Sequence, residues 1–307
     1  MVDLSDMNIM WKIHSHPFIK NNRPIVFAHR GDSAQIPENT MQAFKDAYQM
    51  KVDCIETDVH MTKDQNFVHF HDPDLVRTTN GTGEISDYTL AELKVLDAGY
   101  KFQSEESEDF PFRDKGLQIL SIEEVLPVFP NVRFNIDIKS KNPKAPELLA
   151  KKLKELDIEQ RVCVGSFHQK QIQLFRNFSS SATSAGKKEV VNFLLKFHRW
   201  KRRLSKLEDD KRIPKSYEDA LEYQKKIFGK TLPYFSLQVP VKMSIIRIVS
   251  PRFIEFAHQV GIAVHVWTIN EAKEMEKLLQ WGADGLFTDK PRVLLEVCEK
   301  LQNTTES

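Results

Sequence analysis

Cys54-Ile55-Glu56-Thr57-Asp58-Val59-His60 is the stretch on which the fold prediction depends. Its apolar and β-branched residues predict an extended strand, in which alternate side chains share a face. Glu56 and Asp58 therefore point in the same direction. Two carboxylates on one buried face repel each other and lose solvation, so they need a cation or a proton between them. The alternative is a solvent-facing strand edge with ordinary charges.

Outward from this strand, short apolar runs alternate with segments of helical spacing. Eight strands are predicted, at residues 24–28, 54–60, 132–138, 161–166, 181–185, 234–239, 263–268 and 285–288. Helices are predicted between nearly all of them, which is typical of a parallel TIM (β/α)8 barrel, an α/β fold. A doubly wound open sheet is the second choice, but no Gly-rich phosphate fingerprint follows the first strand.

Length and composition fit one barrel of this kind. The 307 residues lie within the usual size of the fold, and 41% apolar residues suffice for a large core. A net charge of +1 argues against a general attraction to nucleic acid. Three widely spaced cysteines indicate buried thiols in a reducing compartment. With neither a signal-peptide pattern nor a run long enough to span a bilayer, we expect a cytoplasmic protein.

Two irregular regions interrupt the alternation. Residues 73–116 and 187–232 are interpreted as insertions in a barrel domain spanning 24–302, which an extension of residues 1–23 precedes. The segment 187–206 carries a basic amphipathic helix just before the sixth barrel strand. Its apolar stripe consists of Val190, Phe193, Leu194, Phe197, Trp200 and Leu204. The pattern fits peripheral membrane contact, and equally a helix that packs on the barrel with its basic face in solvent.

The candidate functional residues come from the ends of the predicted strands, since barrel enzymes place their sites there. They are His29 and Arg30 after the first strand, Glu56 and Asp58 on the second, His71 after the following run, Asn135, Asp137 and Lys139 on the third, and Trp267 and Asn270 at the seventh. His60 and His69 fall in the opposite or unmatched phase and are assigned structural roles.

These residue types indicate phosphoryl-ester hydrolysis. Three carboxylates, Glu56, Asp58 and Asp137, suit a hard cation such as Mg²⁺ or Ca²⁺. Two histidines supply a general acid and a general base near neutral pH. Arg30 and Lys139 supply fixed positive charge for an anionic substrate. This combination suits a phosphodiester better than a sugar or a carbonyl compound.

The motifs, in order, resemble those of the glycerophosphodiester phosphodiesterase family. They are His29-Arg30-Gly31, Pro37-Glu38-Asn39-Thr40, Glu56-x-Asp58, His71-Asp72, Asn135-Ile136-Asp137-Ile138-Lys139, Trp267-Thr268-Ile269-Asn270 and Gly282-Ala283-Asp284-Gly285 with Thr288-Asp289. The resemblance implies a TIM barrel with a small insertion after the second strand and a divalent metal on the three carboxylates. It implies His29 and His71 as the acid/base pair, and glycerol 3-phosphate plus an alcohol as products.

One position departs from the family's usual pattern, because the third strand carries Asp137 where Glu is common. The Asn-Ile-Asp-Ile-Lys form is similar to the branch associated with lysophospholipase D, so a lysophospholipid is the alternative substrate. A catalytically inactive, lipid-binding barrel is the alternative from another class, and such a protein would be expected to lack some of these residues. Trp267 is either a core residue or a wall against the substrate. Asp284 and Asp289 are expected to hold loops.

Overall fold

In a computed structural model of the chain, residues 14, 16–103, 109–204 and 214–305 are described. They form two compact units. The N-terminal unit comprises Phe27–Ser181 and Thr288–Arg292. The C-terminal unit comprises the described parts of Met1–Val26, Ala182–Phe287 and Val293–Ser307.

The N-terminal unit is built on four parallel strands. These are β1 (Ile25–His29), β2 (Cys54–Met61), β4 (Arg133–Ile138) and β5 (Val162–Gly165), in the order β1-β2-β4-β5. A short strand, β3 (Phe67–His69), pairs antiparallel with β2. All eight residues of β2 are buried, so the predicted solvent-facing alternative for this strand is wrong.

Helices cover the connections of this unit. They are α1 (Met41–Gln49), α2 (Leu90–Leu93), α3 (Ile122–Val125), α4 (Ala145–Glu155) and α5 (Gln169–Phe175), with 3-10 turns at Ile85–Asp87, Leu126–Val128 and Glu159–Arg161. Thr40 caps α1, since its hydroxyl accepts a hydrogen bond from the N–H of Ala43. The side chain of the preceding residue, Asn39, is bonded to Thr57 and Asp58.

The insertion after β3 has an apolar cluster of its own. It comprises Val68, Phe70, Leu75, Ile85, Leu93, Ala98 and Ile119, with Tyr88, Leu90, Leu96 and Leu117 packed against it. A capping box at Thr89 and Glu92 begins α2 within this segment. The insertion is therefore a packed part of the N-terminal unit. Its sequence has too little periodicity for its helices and turns to be predicted in detail.

The C-terminal unit also contains four parallel strands. They are β6 (Ala182–Thr183), β7 (Ser236–Pro240), β10 (Ala263–Trp267) and β11 (Gly285–Thr288). β10 lies between β7 and β11, and a parallel bridge from Ser184 to Ser236 joins the β6 segment to β7. A small antiparallel hairpin, β8 (Lys242–Met243) with β9 (Ile246–Arg247), follows β7 directly.

Five helices belong wholly or largely to this unit. They are α6 (Lys187–Leu204), α7 (Tyr217–Phe228), α8 (Pro251–Gln259), α9 (Ala272–Gln280) and α10 (Pro291–Thr305). The predicted apolar stripe lies on α6, although the side chain of its last member, Leu204, is outside the described residues. The last two residues of the predicted segment 187–206 are also outside them. Phe193, Phe197 and Trp200 are 0%, 5% and 6% exposed.

These aromatic side chains pack on the neighbouring helices. Phe193 and Phe197 both contact Phe253 and Phe256 of α8, with ring centroids 5.2 to 5.8 Å apart. Trp200 contacts Phe256 at 5.0 Å. The aromatic residues of the stripe are therefore core, and their burial favours the second reading, a helix that packs on its neighbours. Val190 and Leu194 of the stripe are half-buried.

Eight parallel strands, four in each unit, thus alternate with helices in the (β/α)8 order, which confirms the predicted TIM-barrel fold class. The sixth of them, β7, follows α6 and α7, as predicted for the second insertion. Cys54, Cys163 and Cys298 are buried free thiols. Among the residues that are described, none of the helices has the length and apolar character needed to cross a membrane.

Candidate active site

A row of polar side chains forms where β1, β2 and β4 pair. The parallel register places Glu56 opposite both His29 and Asn135, and Asp58 opposite Asp137. Glu56 and Asp58 are 5% and 1% exposed. The period-2 alternation predicted from the sequence thus delivers three carboxylates to one buried location.

Two cations hold the centre of this row. The Nζ atom of Lys139 lies 3.0 Å from Oδ1 of Asp58 and 2.6 Å from Oδ2 of Asp137. The Nε atom of Arg30 lies 3.1 Å from Oδ2 of Asp58. Burial alone would raise the pKa of Asp58, but Lys139 and Arg30 outweigh it and lower that pKa to about 2. Asp58 is therefore an anion enclosed by two fixed positive charges.

Neither of the other two carboxyl groups is enclosed by two cations in this way. Burial, and after it the charge of Asp58, raises the pKa of Glu56 to about 8. Oδ1 of Asp137 is buried and has no hydrogen-bond partner. Within the described residues no three acidic, histidine or cysteine side chains are grouped closely enough to enclose an ion. Lys139 lies between Asp58 and Asp137 instead.

His29 ends β1 and is held by a carboxylate from the other end of the sequence. Its Nδ1 atom lies 2.6 Å from Oδ1 of Asp289, which also accepts a hydrogen bond from the hydroxyl of Ser33 at 2.9 Å. Its Nε2 atom is 3.9 Å from Oε2 of Glu56. Burial alone would lower the pKa of His29, but Glu56 and the hydrogen bond with Asp289 outweigh it and raise that pKa.

His71 is oriented in the same manner. Its Nδ1 atom lies 2.6 Å from Oδ1 of the adjacent Asp72. The backbone carbonyl of His71 accepts a hydrogen bond from Nε2 of His60, at 3.1 Å. His71 and His29 both contribute to the low pKa of Asp58, so both imidazoles act on the same carboxylate. Each has Nδ1 bound to a carboxylate, which leaves Nε2 as the nitrogen for a reactant.

An ion-pair network joins the insertion to this cluster. Arg77 donates from Nη1 and Nη2 to the two carboxylate oxygens of Glu38, at 2.9 and 2.7 Å, and from Nε to Asp72. Glu38 in turn accepts from Nη1 of Arg30 at 3.1 Å. Arg77 is therefore linked to both His71, through Asp72, and Arg30, through Glu38.

The loop after β1 takes its shape from left-handed backbone positions. Arg30, Gly31 and Asn39 have φ of 60°, 89° and 59°. A Cβ atom on Gly31 would lie 2.6 Å from the backbone carbon of Ala43, so only glycine fits there. Asn39 donates to Oδ2 of Asp58 at 3.3 Å and accepts from the Thr57 hydroxyl at 2.8 Å. The loop thereby fixes Arg30 and Asn39 against one carboxylate.

The two histidines that were assigned structural roles are bonded within the protein. His60 supports the His71 carbonyl, as above. His69 is buried, and its Nδ1 atom lies 2.7 Å from the hydroxyl of Thr57. Burial lowers the pKa of His69 to about 3, so this ring is neutral.

Of the predicted site residues, the structure brings seven together in the N-terminal unit: His29, Arg30, Glu56, Asp58, His71, Asp137 and Lys139. Trp267, at the end of β10, belongs to the C-terminal unit, as does Asn270. Asp284, which was expected to hold a loop, instead accepts a hydrogen bond from the N–H of Val264 in β10 at 2.7 Å and pairs with His258 of α8 at 2.8 Å.

Sequence reasoning missed four residues that contact this cluster. Asp289 was assigned to a loop although it follows the eighth barrel strand, and the strand-end rule applied there would have found it. Arg77 lies in a segment without strand periodicity, so its role carried no signal. Glu38 stands in the Pro37-Glu38-Asn39-Thr40 motif, which could have identified it. Phe167 follows β5, and its ring lies 5.2 Å from Nζ of Lys139 while the residue is 57% exposed.

Comparison with known proteins gives one family. Residues 29–293 match the sequence model described as the Glycerophosphoryl diester phosphodiesterase family. A glycerophosphodiester phosphodiesterase of Caldanaerobacter subterraneus subsp. tengcongensis is 32% identical over 291 residues, covering 91% of this chain and 99% of the relative.

Two further similarities extend this result. A lysophospholipase D of Mus musculus is 26% identical over 299 residues, covering 87% of this chain and 83% of the relative. An Oleispira antarctica phosphodiesterase, solved in complex with the product sn-glycerol-3-phosphate, superposes with a TM-score of 0.65 at 24% identity. That match covers 90% of this chain and 97% of the other.

Proposed function

This chain belongs to the Glycerophosphoryl diester phosphodiesterase family, and on that premise we propose how its own residues hydrolyse a glycerophosphodiester. The enzyme is a phosphoric diester hydrolase, and the products are glycerol 3-phosphate and an alcohol. The observation that carries the proposed roles is the pair of carboxylate-held imidazoles beside the cluster of Glu56, Asp58, Asp137, Arg30 and Lys139. We take residues 24–302 as the barrel domain, with insertions at about 73–116 and 187–232.

Arg30 and Lys139 bind the phosphate in this proposal. Both are positively charged, and both are held in place by Asp58, at 3.1 and 3.0 Å. A guanidinium group suits phosphate oxygens because its donors form a planar fork, whereas an ammonium acts as a point charge. The two side chains thus orient the diester and offset the charge that develops on its oxygens.

His29 and His71 move the protons. The attacking hydroxyl or water gives its proton to the Nε2 atom of one imidazole as the new P–O bond forms. The Nε2 atom of the other imidazole gives a proton to the alcohol oxygen as the old P–O bond breaks. Asp289 and Asp72 fix the ring orientations through Nδ1, so each Nε2 has one defined role.

Glu56, Asp58 and Asp137 are proposed to hold a divalent cation, Mg²⁺ or Ca²⁺. The donor set consists of oxygen atoms alone, as such ions prefer. The unpaired Oδ1 of Asp137 and the raised pKa of Glu56 are both consistent with negative charge that a cation would balance. When bound, the cation supplies further positive charge to the phosphoryl oxygens.

The test is a comparison of histidine and metal-site variants. We expect His29→Ala and His71→Ala to lower kcat for glycerophosphocholine by about 10² to 10⁴ at unchanged Tm. Activity lost in EDTA should return with Mg²⁺ or Ca²⁺. Calorimetric titration of either ion should show weaker binding to Glu56→Gln than to the wild type. Full turnover after exhaustive chelation would refute the metal proposal, and a normal kcat in a histidine variant would remove that residue from the mechanism.

A second candidate is lysophospholipase D activity, and two observations favour it. One relative, from Mus musculus, carries that name. Phe167 also places an exposed aromatic ring beside Lys139, where an apolar part of a substrate would meet it. Release of choline from lysophosphatidylcholine and from glycerophosphocholine should be compared in the wild type and in Phe167→Ser. A selective loss on the lysolipid supports this activity, and equal rates in both proteins on both substrates argue against it.

Trp267→Ala tests in the same assay whether that residue forms a substrate wall.

A further inference from the structure

The hairpin β8–β9 presents apolar side chains to solvent. Ile245 is 95% exposed, Ile246 61% and Met243 45%. Ile245 has the highest exposure of any large apolar residue in the described part of the chain. Large apolar side chains grouped on a short projecting segment mark a contact surface, whereas single exposed ones are ordinary.

Positive charge surrounds this apolar tip. Lys242 and Arg247 flank it as paired residues of the hairpin, and both are exposed. The sequence from 231 to 254 contains Lys242, Arg247 and Arg252 but no acidic residue. A partner that complements this surface therefore combines an apolar interior with a negatively charged outer layer. An anionic lipid bilayer has both properties.

An indole group lies at the base of the hairpin. The guanidinium carbon of Arg247 lies 5.6 Å from the centre of the Trp281 ring, and Nζ of Lys277 lies 4.8 Å from it. Tryptophan with lysine and arginine is the combination that occupies the headgroup layer of membranes, where the ring is half in water and the cations reach phosphates.

We propose that the hairpin Lys242–Arg247 docks the enzyme on an anionic membrane surface, with Met243, Ile245 and Ile246 entering the headgroup boundary and Lys242, Arg247 and Lys277 binding lipid phosphates. This inference goes beyond the proposed function, because docking is independent of which phosphodiester is hydrolysed. It also differs from the contact first predicted for 187–206, whose aromatic residues are buried.

The experiment measures co-sedimentation of the full chain with vesicles. Phosphatidylcholine vesicles with about 30% phosphatidylglycerol are compared with phosphatidylcholine alone, at low and at high salt. We expect binding to the anionic vesicles only, weakened by salt. Ile245→Ser with Ile246→Ser should lower binding at least about tenfold. Lys242→Glu with Arg247→Glu should remove the preference for anionic lipid.

A matched control lies on α6. Val191 and Leu195 are 44% and 54% exposed on a helix that also carries basic residues. Val191→Ser with Leu195→Ser should bind vesicles as the wild type does. Neither the isoleucine pair of the hairpin nor the α6 pair should change Tm or the hydrolysis of water-soluble glycerophosphocholine. Failure of the proposed function would therefore appear separately from failure of docking.

Three results would overturn the proposal. The first is a wild type that binds neither vesicle. The second is a loss of binding that is not specific to the hairpin, because either the hairpin variants bind like the wild type or the α6 pair loses as much binding as they do. The third is a wild-type dimer in solution that the hairpin pair converts to a monomer, which would make a second copy of the chain the occupant of this surface.

Discussion

At the residue scale, each of the two proposed catalytic imidazoles is held by a carboxylate. Asp72 holds His71 from the adjacent position, and Asp289 holds His29 across 260 residues of sequence. An ionised carboxylate only accepts hydrogen bonds, so each of these imidazoles must carry a proton on Nδ1. The Nε2 atom of each ring is then the nitrogen that can exchange a proton with a reactant. We therefore expect both carboxylates to act as positioning residues with a measurable effect on proton transfer.

Asp289→Asn tests this dependence. An asparagine loses the charge that helps raise the pKa of His29, so the limb of the pH–rate profile due to His29 should move to lower pH. We expect kcat to fall by about 10² or more, at nearly constant KM. Steady-state kinetics across pH check both effects. The matched control is Asp284→Asn, which breaks a histidine–aspartate pair outside the cluster, with His258, and should lower Tm without altering the pH profile. An Asp289→Asn enzyme with wild-type kcat and profile would contradict the assignment.

Arg77 is the second residue whose effect is indirect. Its substitution by alanine frees both Asp72 and Glu38, so His71 and Arg30 each lose an orienting contact. We expect kcat to fall about tenfold and KM to rise. The change in stability should be below about 1 kcal/mol, because Arg77 is nearly half exposed.

Arg77→Lys separates positioning from simple charge. A lysine retains the charge but cannot make the two-oxygen contact with Glu38 and also reach Asp72, so it should recover only part of kcat. Kinetics and thermal melts of both variants provide the measurement. Normal kinetics with a large loss of Tm would show Arg77 to be purely structural.

At the element scale, α6 shows what an amphipathic pattern does and does not specify. The spacing of Phe193, Phe197 and Trp200 correctly predicts one apolar helix face. It contains no information about what covers that face, which in the structure is α8. Conversely, the hairpin after β7 is too short for any periodic pattern, so its exposed residues became recognisable only in the structure.

Phe197→Ala measures the burial of this face. Removing a buried phenylalanine side chain should destabilise the fold by about 3–5 kcal/mol. The folded fraction should keep its kcat/KM on lysolipids and on glycerophosphodiesters alike. Leu195→Ala, on the exposed face of α6, should change stability by less than about 0.5 kcal/mol. Denaturant unfolding and kinetics of both variants test this. A stable Phe197→Ala protein with selectively reduced lysolipid hydrolysis would restore the lipid-contact hypothesis.

At the scale of the whole molecule, the eight strands and the phase of their polar residues could be predicted from the sequence. Alternation alone puts Glu56 and Asp58 on one face, and the parallel register adds Asp137. Contacts across long sequence separations could not be predicted, because local patterns do not encode them. The contact between Arg77 of the insertion and Glu38 of the loop after β1 is one example, and that between His29 and Asp289 is another.

The stability of the N-terminal unit should depend on pH through Asp32. Burial, with a hydrogen bond and like charge from Asp46, raises the pKa of Asp32 from 3.8 to about 7. A carboxyl group with a raised pKa holds its proton more tightly in the folded chain than in the unfolded one. Its protonated form therefore supports the fold at low pH, and that contribution is lost as pH rises from about 4 to about 7.

Asp32→Asn removes this titration. The decrease in Tm between about pH 5 and about pH 8 should be smaller in Asp32→Asn than in the wild type. Asp87→Asn, which changes an exposed acid of the same unit, should retain the wild-type decrease. Thermal melts across pH measure the three proteins. An identical pH dependence in Asp32→Asn and the wild type would show that Asp32 titrates normally.

The hydrogen bond between His29 and Asp289 also bears on when a newly made chain acquires its site. The ion pairs of Arg30, Arg77 and Lys139 lie between residues 30 and 139, so a ribosome adds all of their members about 150 residues before Asp289. At about 5–20 residues per second, another 8 to 30 s or so of translation pass before residue 289 emerges. During that time the nascent chain has both proposed phosphate-binding cations but no carboxylate for Nδ1 of His29. We therefore expect turnover to begin only after residue 289 has been translated.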